Sequence, residues 1–566
     1  MARLDVLDRA ETLVGAVESL VESRRDDEAL VLLDRVAGER ATTLGELWDH
    51  ARGVQARLVA NDLEPGAVVV LVLPTSPELI GAYFGTVLAG GVPAMLSTPS
   101  HRVSDPGIFG ARVAHVVENA RPHSLIGGAD VLPMFEGDGA AVLGSTQLLD
   151  VDAIGESGCI AEPFRPSPDS IATIQYSSGT TGAPKGVQVT HAAVLNNLRS
   201  MREALEVQES DVSVNWAPLY HDMGLFGCFL LPLLCGCKTV LMPTMDFMRD
   251  PASWLRAIDR YRGAISWAPN LAYALCAKRL RDEALEGLDL SSWRLAVNAS
   301  EPCLTATIEA FAERMAPYGF RRTAMTPAYG LAEGTVMATV QPMDEEPRYE
   351  WLDRDALAGE EVARPVERDS GVPCVSVGRA IPGCRLEIRD PEGRALPDRH
   401  VGQVWLHSNA LFSSYQANAE LTSRTLADGW LDTGDRGYLV DGYLFFVARS
   451  KDLIVIGGEK YTPQDVEAVI GRAEGVREGC AVAFGVLNVA QGTEELGAVV
   501  ETRVEGEEAL DVLADEIRLH VSRAIGLGLR HLHLVPPGGI EKTTSGKLAR
   551  GATRDRYPEV FGARDA

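Results

Sequence analysis

The chain has 566 residues, with 53 Lys and Arg against 79 Asp and Glu, a formal net charge of −26. That charge argues against wholesale binding to nucleic acid or to an anionic membrane, and 46% hydrophobic with 23% charged residues excludes a disordered or collagen-like chain. Nine scattered cysteines without a CxxC pair, and acids in the first residues where a signal peptide would need an apolar core, point to a reduced, cytoplasmic chain with three or four domains' worth of length.

In chain order, Val68 to Pro74 (VVVLVLP) reads as a buried strand. It runs into PELIGAYFGTVLAGG, a helix with Pro77 at its first position and Gly90 near its end. Similar alternation over the first 450 residues predicts α/β architecture with mostly parallel sheets. The strand-like IATIQ leads into Tyr176 to Val187, YSSGTTGAPKGV, which packs three glycines, four Ser/Thr hydroxyls and a lysine into 12 residues. Such a loop can offer backbone N–H groups, hydroxyls and one cation to phosphates. It is not a Walker loop, because Lys185 is followed by glycine and its spacing from the other glycines is wrong. An ordinary Ser/Gly turn is the plain alternative. The most apolar run, Leu225 to Cys237, is 13 residues with Pro232 inside, too short to span a bilayer.

From Asp390 to Phe446 the pattern changes. Short strands (GQVWLH, GYLFFVA) and the turn pairs Asp428–Gly429 and Asp441–Gly442 predict a β-rich subdomain at about 376–450. After Arg449, DLIVIGGEKYTPQDVEAVIGRA reads as strand, glycine turn and helix. A boundary near Ser450 to Asp452 then divides a large N-terminal lobe, 1–450, from a smaller α+β C-terminal domain, 451–566. Within that domain, Arg518 to Arg556 carries eight Lys/Arg against two Asp/Glu.

The glycine-rich loop is followed, in order, by YHDMG (Tyr220 to Gly224), YGLAE (Tyr329 to Glu333), WLDTGD (Trp430 to Asp435), ARSKD (Ala448 to Asp452) and EKTTSGK (Glu541 to Lys547). With these six motifs the chain resembles the adenylate-forming superfamily of acyl-CoA synthetases, luciferases and peptide-synthetase adenylation domains. The resemblance implies that ATP activates a carboxylate by attack on the α-phosphorus, so that catalysis is positioning and charge stabilisation. It implies ATP contacts at Ser177, Ser178, Gly179, Thr180, Thr181, Gly182 and Lys185. Further contacts are implied at Ser300, Glu301 and Pro302, and at Tyr329, Gly330, Leu331 and Ala332, with Tyr329 packing on adenine. Glu333 resembles a Mg2+-binding glutamate, Asp435 the acceptor of both ribose hydroxyls and Arg449 its partner. Taken alone, the last two read as a solvated loop acid and a surface arginine. Lys547 resembles the lysine that bridges the substrate carboxylate and the α-phosphate, and Lys451 the hinge about which the small domain rotates.

WAPLYHDMGL, SWAPNLAYALC, NASEP and GGEKYTPQDVE, with the extra segment Tyr349 to Val375, resemble the fatty acyl-AMP ligase branch. That branch implies a fatty or related carboxylic acid as substrate. It also implies transfer of the acyl group to the phosphopantetheine thiol of a carrier protein on another chain, in polyketide, nonribosomal-peptide or lipid biosynthesis. The extra segment would restrain the small domain and disfavour CoA; a surface loop of variable length is its plain alternative. His221 would orient substrate, and Phe226, Trp267, Asn270, Leu271 and Tyr273 would line the acyl pocket, with Trp267 narrowing it. Two positions depart from the family pattern: Gln403 where glutamate is usual, expected to be structural and tolerated, and Glu541 where proline often opens the last loop, an acid six residues from Lys547 that could shift its behaviour. Arg518, Arg523, Arg530, Arg550 and Arg554 are candidates for docking an acidic carrier. A true acyl-CoA synthetase is the alternative. A kinase or ATPase would release ADP, and a non-enzymatic nucleotide binder would be expected to lack Lys547 or Glu333.

Overall fold

A computed structural model describes residues 6–99, 106–136, 141–154, 162–177, 184–368, 370–449, 452–456, 459–488, 493–543 and 547–561. Two large sheets organise the part before residue 450. In the first, Val92–Met95, Val68–Val72, Ser124–Gly127 and Gln147–Asp150 run parallel, with Ile171–Ser177 joining Val92–Met95 in the same sense. In the second, Met325–Tyr329, Leu295–Asn298, Ile265–Ala268, Val212–Asn215, Lys238–Leu241 and Glu28–Asp34 form a parallel run.

Both faces of these strands are covered, which explains their unbroken apolar runs. Val69 and Leu71 face an inner core shared with Trp267, Leu295 and Val297 of the second sheet. Val68, Val70 and Val72 face an outer core with Phe109 and Val113 of the helix Pro106–Ala120. On the far side, Ala268 and Ala296 join Trp254, Trp293 and Phe311 in a second outer core. The result is five layers, helix–sheet–helix–sheet–helix, within the α/β architecture that the alternating pattern predicts. The helix Pro77–Leu88 begins as expected: Pro77 opens it and the Ser76 hydroxyl accepts from Leu79 N–H.

The β-rich portion is continuous with the second sheet, not a separate body. Val372–Ala380 pairs with Thr339–Val340, which pairs with Met325–Tyr329. The antiparallel strands Tyr443–Arg449, Trp430–Val440, Gly402–Ser408 and Cys384–Arg389 follow in order. Asp441 and Gly442 both take positive φ, 53° and 79°, the geometry a two-residue hairpin requires. After residue 452 the chain differs from the expected strand–turn–helix: Ile454–Ile456 pairs with a second strand, Glu459–Tyr461, before the helix Pro463–Ile470. The remainder is a three-stranded sheet, Val476–Asn488, Thr493–Thr502 and Leu529–Val535, with its own apolar clusters on both faces. Leu513, Ile517, Val521 and Ile525, at helical spacing on Glu507–Ile525, fill one of them.

The extra segment at 349–375 pairs Tyr349–Leu352 with Val372–Ala380. Its Leu357 and Ala358 line a small cavity together with Tyr461, Asp465 and Val466 of the C-terminal part. The apolar run at 225–237 is a buried helical stretch, Met223–Leu230 then Leu231–Leu234. No described helix is long and apolar enough to cross a membrane.

Candidate active site

The motif residues gather at the C-terminal ends of the parallel strands, where open α/β sheets place ligands. Val212–Asn215 leads to His221, Leu295–Asn298 to Ser300 and Glu301, and Met325–Tyr329 to Gly330 and Glu333. Two features of these turns are strained or crowded. Ser300 holds φ at +72° although it is not glycine. At Gly330 a Cβ would stand 1.6 Å from the Val336 carbonyl oxygen, so only glycine fits.

Lys547 reaches this floor from the C-terminal part. Its Nζ lies 3.5 Å from His221 Nε2, and His221 Nδ1 lies 2.6 Å from Asp222 Oδ1. An Nδ1 proton directed at Asp222 leaves Nε2 as the acceptor facing the ammonium. Burial pushes the Lys547 ammonium below the usual lysine range, with Asp222 and Glu301 opposing and Arg449 reinforcing the shift. Burial would raise the Asp222 carboxyl, but His221, Lys547 and the Met223 N–H together hold it below the usual range. Glu301 stays raised by burial, although the Leu271 N–H donates to it and Lys547 and Lys542 attract its charge. The loop carrying Lys547 is folded back on itself: Thr543 N–H donates to the Lys547 carbonyl at 2.7 Å, and Lys547 N–H to Thr543 Oγ1 at 3.1 Å. Glu541 pairs with Arg556 at 2.8 Å and is not among the charges acting on Lys547.

A second cluster surrounds Asp435. Tyr329 donates its hydroxyl to Asp435 Oδ2 at 2.7 Å, and Arg449 Nε lies 3.6 Å from Oδ1. Burial and then the Asp435 charge push the Tyr329 phenol well up, so it stays a donor. Glu333 accepts from the Tyr415 hydroxyl at 2.6 Å, and the Lys185 ammonium stands 5.4 Å from the Tyr415 ring centroid. Lys185 pairs in register with Ser177 at the base of the glycine-rich loop. Ser178, Gly179, Thr180, Thr181, Gly182 and the hinge candidate Lys451 lie outside the described residues. Two residues were not given roles from the sequence: Asp222 sat inside a quoted motif, and Tyr415 carries no motif that could have flagged it.

The acyl-pocket candidates separate. Phe226 and Trp267 are fully buried in the inner core, with Gly227 against the Trp267 ring. Tyr273 does not join them. It lies on the opposite face of the sheet, donating to the Val297 carbonyl at 2.9 Å and packed among Trp254, Trp293 and Phe311. Asn270 is held by structural bonds, accepting from Leu304 N–H at 3.1 Å and donating to Thr307 Oγ1 at 3.2 Å. Arg550, a docking candidate, is engaged within the C-terminal part: largely enclosed, it makes two bonds to Glu467 at 2.8 and 2.7 Å and lies 3.5 Å from Asp452.

Comparison with known proteins bears on this arrangement. The AMP-binding enzyme family matches residues 17–416. A putative acyl-CoA synthetase of Caulobacter vibrioides is 33% identical, over 91% of this chain and 90% of its own. A medium-chain-fatty-acid–[acyl-carrier-protein] ligase of Teredinibacter turnerae is 35% identical over 73% of this chain and 68% of its own. Among solved structures, a fatty acyl-adenylate ligase from work on the E. coli and L. pneumophila enzymes superposes with a TM-score of 0.91 at 30% identity, covering 98% of this chain and 99% of that one. With the family matched over most of its length and motif residues converging on one floor, the chain belongs to the AMP-binding enzyme family.

Proposed function

We propose that the protein is a fatty acyl-AMP ligase: it condenses a fatty acid with ATP to give acyl-AMP and pyrophosphate, then passes the acyl group to the phosphopantetheine thiol of a carrier protein on another chain. The observation that carries this reading is Lys547, seated against His221 and facing Asp222 and Glu301, with Asp435, Arg449 and Glu333 on the same floor. An ammonium held there can bridge the substrate carboxylate and the α-phosphate. It offsets charge that grows as the carboxylate oxygen attacks phosphorus and pyrophosphate departs. Asp435 and Arg449 hold the ribose, Tyr329 sits beside the base, and Lys185 meets the phosphates. His221, kept in one tautomer by Asp222, orients the acid and need not move a proton.

Glu333 fits a hard cation: one oxygen is fixed by Tyr415 and the carboxylate keeps a second oxygen. No group of three or more His, Cys, Asp or Glu that could hold a metal occurs among the described residues. That suits Mg2+ held by one carboxylate and the nucleotide phosphates, where it neutralises phosphate charge. A reduced, cytoplasmic setting is part of the same reading, resting on scattered cysteines without a CxxC pair.

The carrier-protein acceptor is favoured by the segment at 349–375, which lies against the C-terminal part. Residues 451–566 would reorient about Lys451 between the two half-reactions, and the packed segment limits that motion. The name of the Teredinibacter relative points to a carrier acceptor, that of the Caulobacter relative to the alternative, CoA. Purified enzyme given ATP and a panel of acids should release AMP and pyrophosphate. It should load a pantetheinylated carrier and make little acyl-CoA; release of ADP would refute the reading, and efficient acyl-CoA synthesis would transfer it to the alternative.

A further inference from the structure

The residues that aim Asp435 form an irregular bulge, and Gln403 braces it from the neighbouring strand. In the pairing of Gly402–Ser408 with Trp430–Val440, Gln403 faces Arg436 and Trp405 faces Asp432. Only Val404 therefore lies opposite Thr433, Gly434 and Asp435. Bulges of this kind turn a side chain out of the ladder, and they need partners for the backbone groups they free. Here the partners are side chains. Asp432 Oδ1 accepts from Gly434 N–H at 2.9 Å, and Gly434 itself takes φ +71°. The Thr433 hydroxyl donates to the Val404 carbonyl at 2.7 Å and accepts from Asp435 N–H at 3.2 Å. Asp432 is fixed in turn by Gln403, whose Nε2 donates to the same Oδ1 at 2.6 Å.

We infer that Gln403 is a positioning residue for nucleotide binding: through Asp432 it sets the bulge that points Asp435 at the ribose. This rests on the assignment of Asp435 under the proposed function. It also gives a physical reason for the amide at a position where the family usually has glutamate. A carboxylate at 403 would stand against the Asp432 carboxylate, two like charges at hydrogen-bond distance. A donor at 403 gives a second bond to the oxygen that the Gly434 turn uses, and a carboxylate there cannot.

The test is a charge-and-donor swap, read as KM for ATP and Kd for AMP alongside kcat. Gln403→Glu should raise KM and Kd about tenfold, the loss expected when a bond to a charged acceptor is replaced by repulsion, with kcat little changed. Adding Asp432→Asn should restore both constants to within about threefold of the parent, because the introduced amide donates to the introduced carboxylate while its carbonyl still accepts from Gly434. A parental KM in Gln403→Glu, or a double variant no better than the single one, overturns the inference. If Gln403→Glu does not fold, Gln403→Met removes the donor without adding charge, and a parental Kd for AMP there overturns it equally. Asp435→Asn tests the ribose assignment separately: parental nucleotide affinity in that variant would sink the assignment of Asp435 itself, whatever Gln403 does.

Discussion

Lys547 Nζ and His221 Nε2 stand 3.5 Å apart although 326 residues separate them in sequence. The pairing joins the C-terminal loop to the floor of the second sheet and places the ammonium near the Asp222 and Glu301 carboxylates. Lys547→Ala should lower acid-dependent pyrophosphate exchange by at least about a hundredfold, the size seen when a charge-stabilising donor is removed. Because burial holds the ammonium below the usual lysine range, its useful charge is lost as pH rises through that lowered value. The alkaline limb of the pH–rate profile should therefore fall earlier than an ordinary lysine would dictate. Exchange undiminished in Lys547→Ala would refute its role.

Tyr329 and Asp435 form a buried bond at 2.7 Å. Tyr329→Phe keeps the ring in place and removes the hydroxyl that donates to Asp435 Oδ2. KM for ATP should rise roughly three- to tenfold, measured by AMP release at saturating acid.

Tyr415 orients the Glu333 carboxylate. Tyr415→Phe should raise the Mg2+ concentration needed for half-maximal adenylation while leaving the thermal unfolding midpoint within a few degrees. An unchanged Mg2+ dependence would separate Tyr415 from the Mg2+ site proposed at Glu333.

His191 is buried, and its Nδ1 accepts from Leu13 N–H at 3.2 Å, tying the N-terminal helix Leu13–Arg24 to the helix His191–Ala204. Burial pulls its imidazole down to about 4 from 6.5. The folded state thus binds this proton less readily than the unfolded one. Its stabilising contribution is complete above about pH 6.5 and is lost as pH falls toward 4, up to roughly 3 kcal/mol. His191→Gln, which keeps an acceptor but does not titrate, should flatten the fall in unfolding midpoint between about pH 7 and 4.5; an unchanged slope would assign acid sensitivity elsewhere.

Arg523 and Arg530 are exposed, whereas Arg550 is bound to Glu467 and Asp452 and Arg554 donates to the Gly485 carbonyl at 3.2 Å. Charge reversal at Arg523 and Arg530 should weaken acyl transfer to an acidic carrier and its salt dependence while sparing acyl-AMP formation. Arg550→Ala should instead destabilise the C-terminal part by about 3 kcal/mol, because it leaves the Glu467 carboxylate enclosed without its partner. If reversal at Arg523 and Arg530 lowers both half-reactions equally, the docking surface lies elsewhere.

The signals legible in the sequence were local ones. Pro77 opening a helix, the Asp441–Gly442 turn and the doubly covered strand Val68–Val72 follow from backbone sterics and from burial on both faces, which act over a few residues. The six motifs likewise identified the chemistry by residue type and order. What needed the tertiary structure was which of two buried groups shares a face. Trp267 and Tyr273 are six residues apart and both enclosed, yet the strand Ile265–Ala268 and the turn after it send them into cores on opposite sides of the sheet. Arg550 looked like a free surface cation because its partners, Glu467 and Asp452, are 83 and 98 residues away. The pairing of Tyr415 with Glu333 is equally non-local, at 82 residues. By itself, then, the sequence determined the layered α/β fold and the family's chemistry, since both are written in short-range pattern. Only the tertiary structure decided which charges meet, because a hydrogen bond depends on distance in space and the chain sets that distance only once its strands are in register.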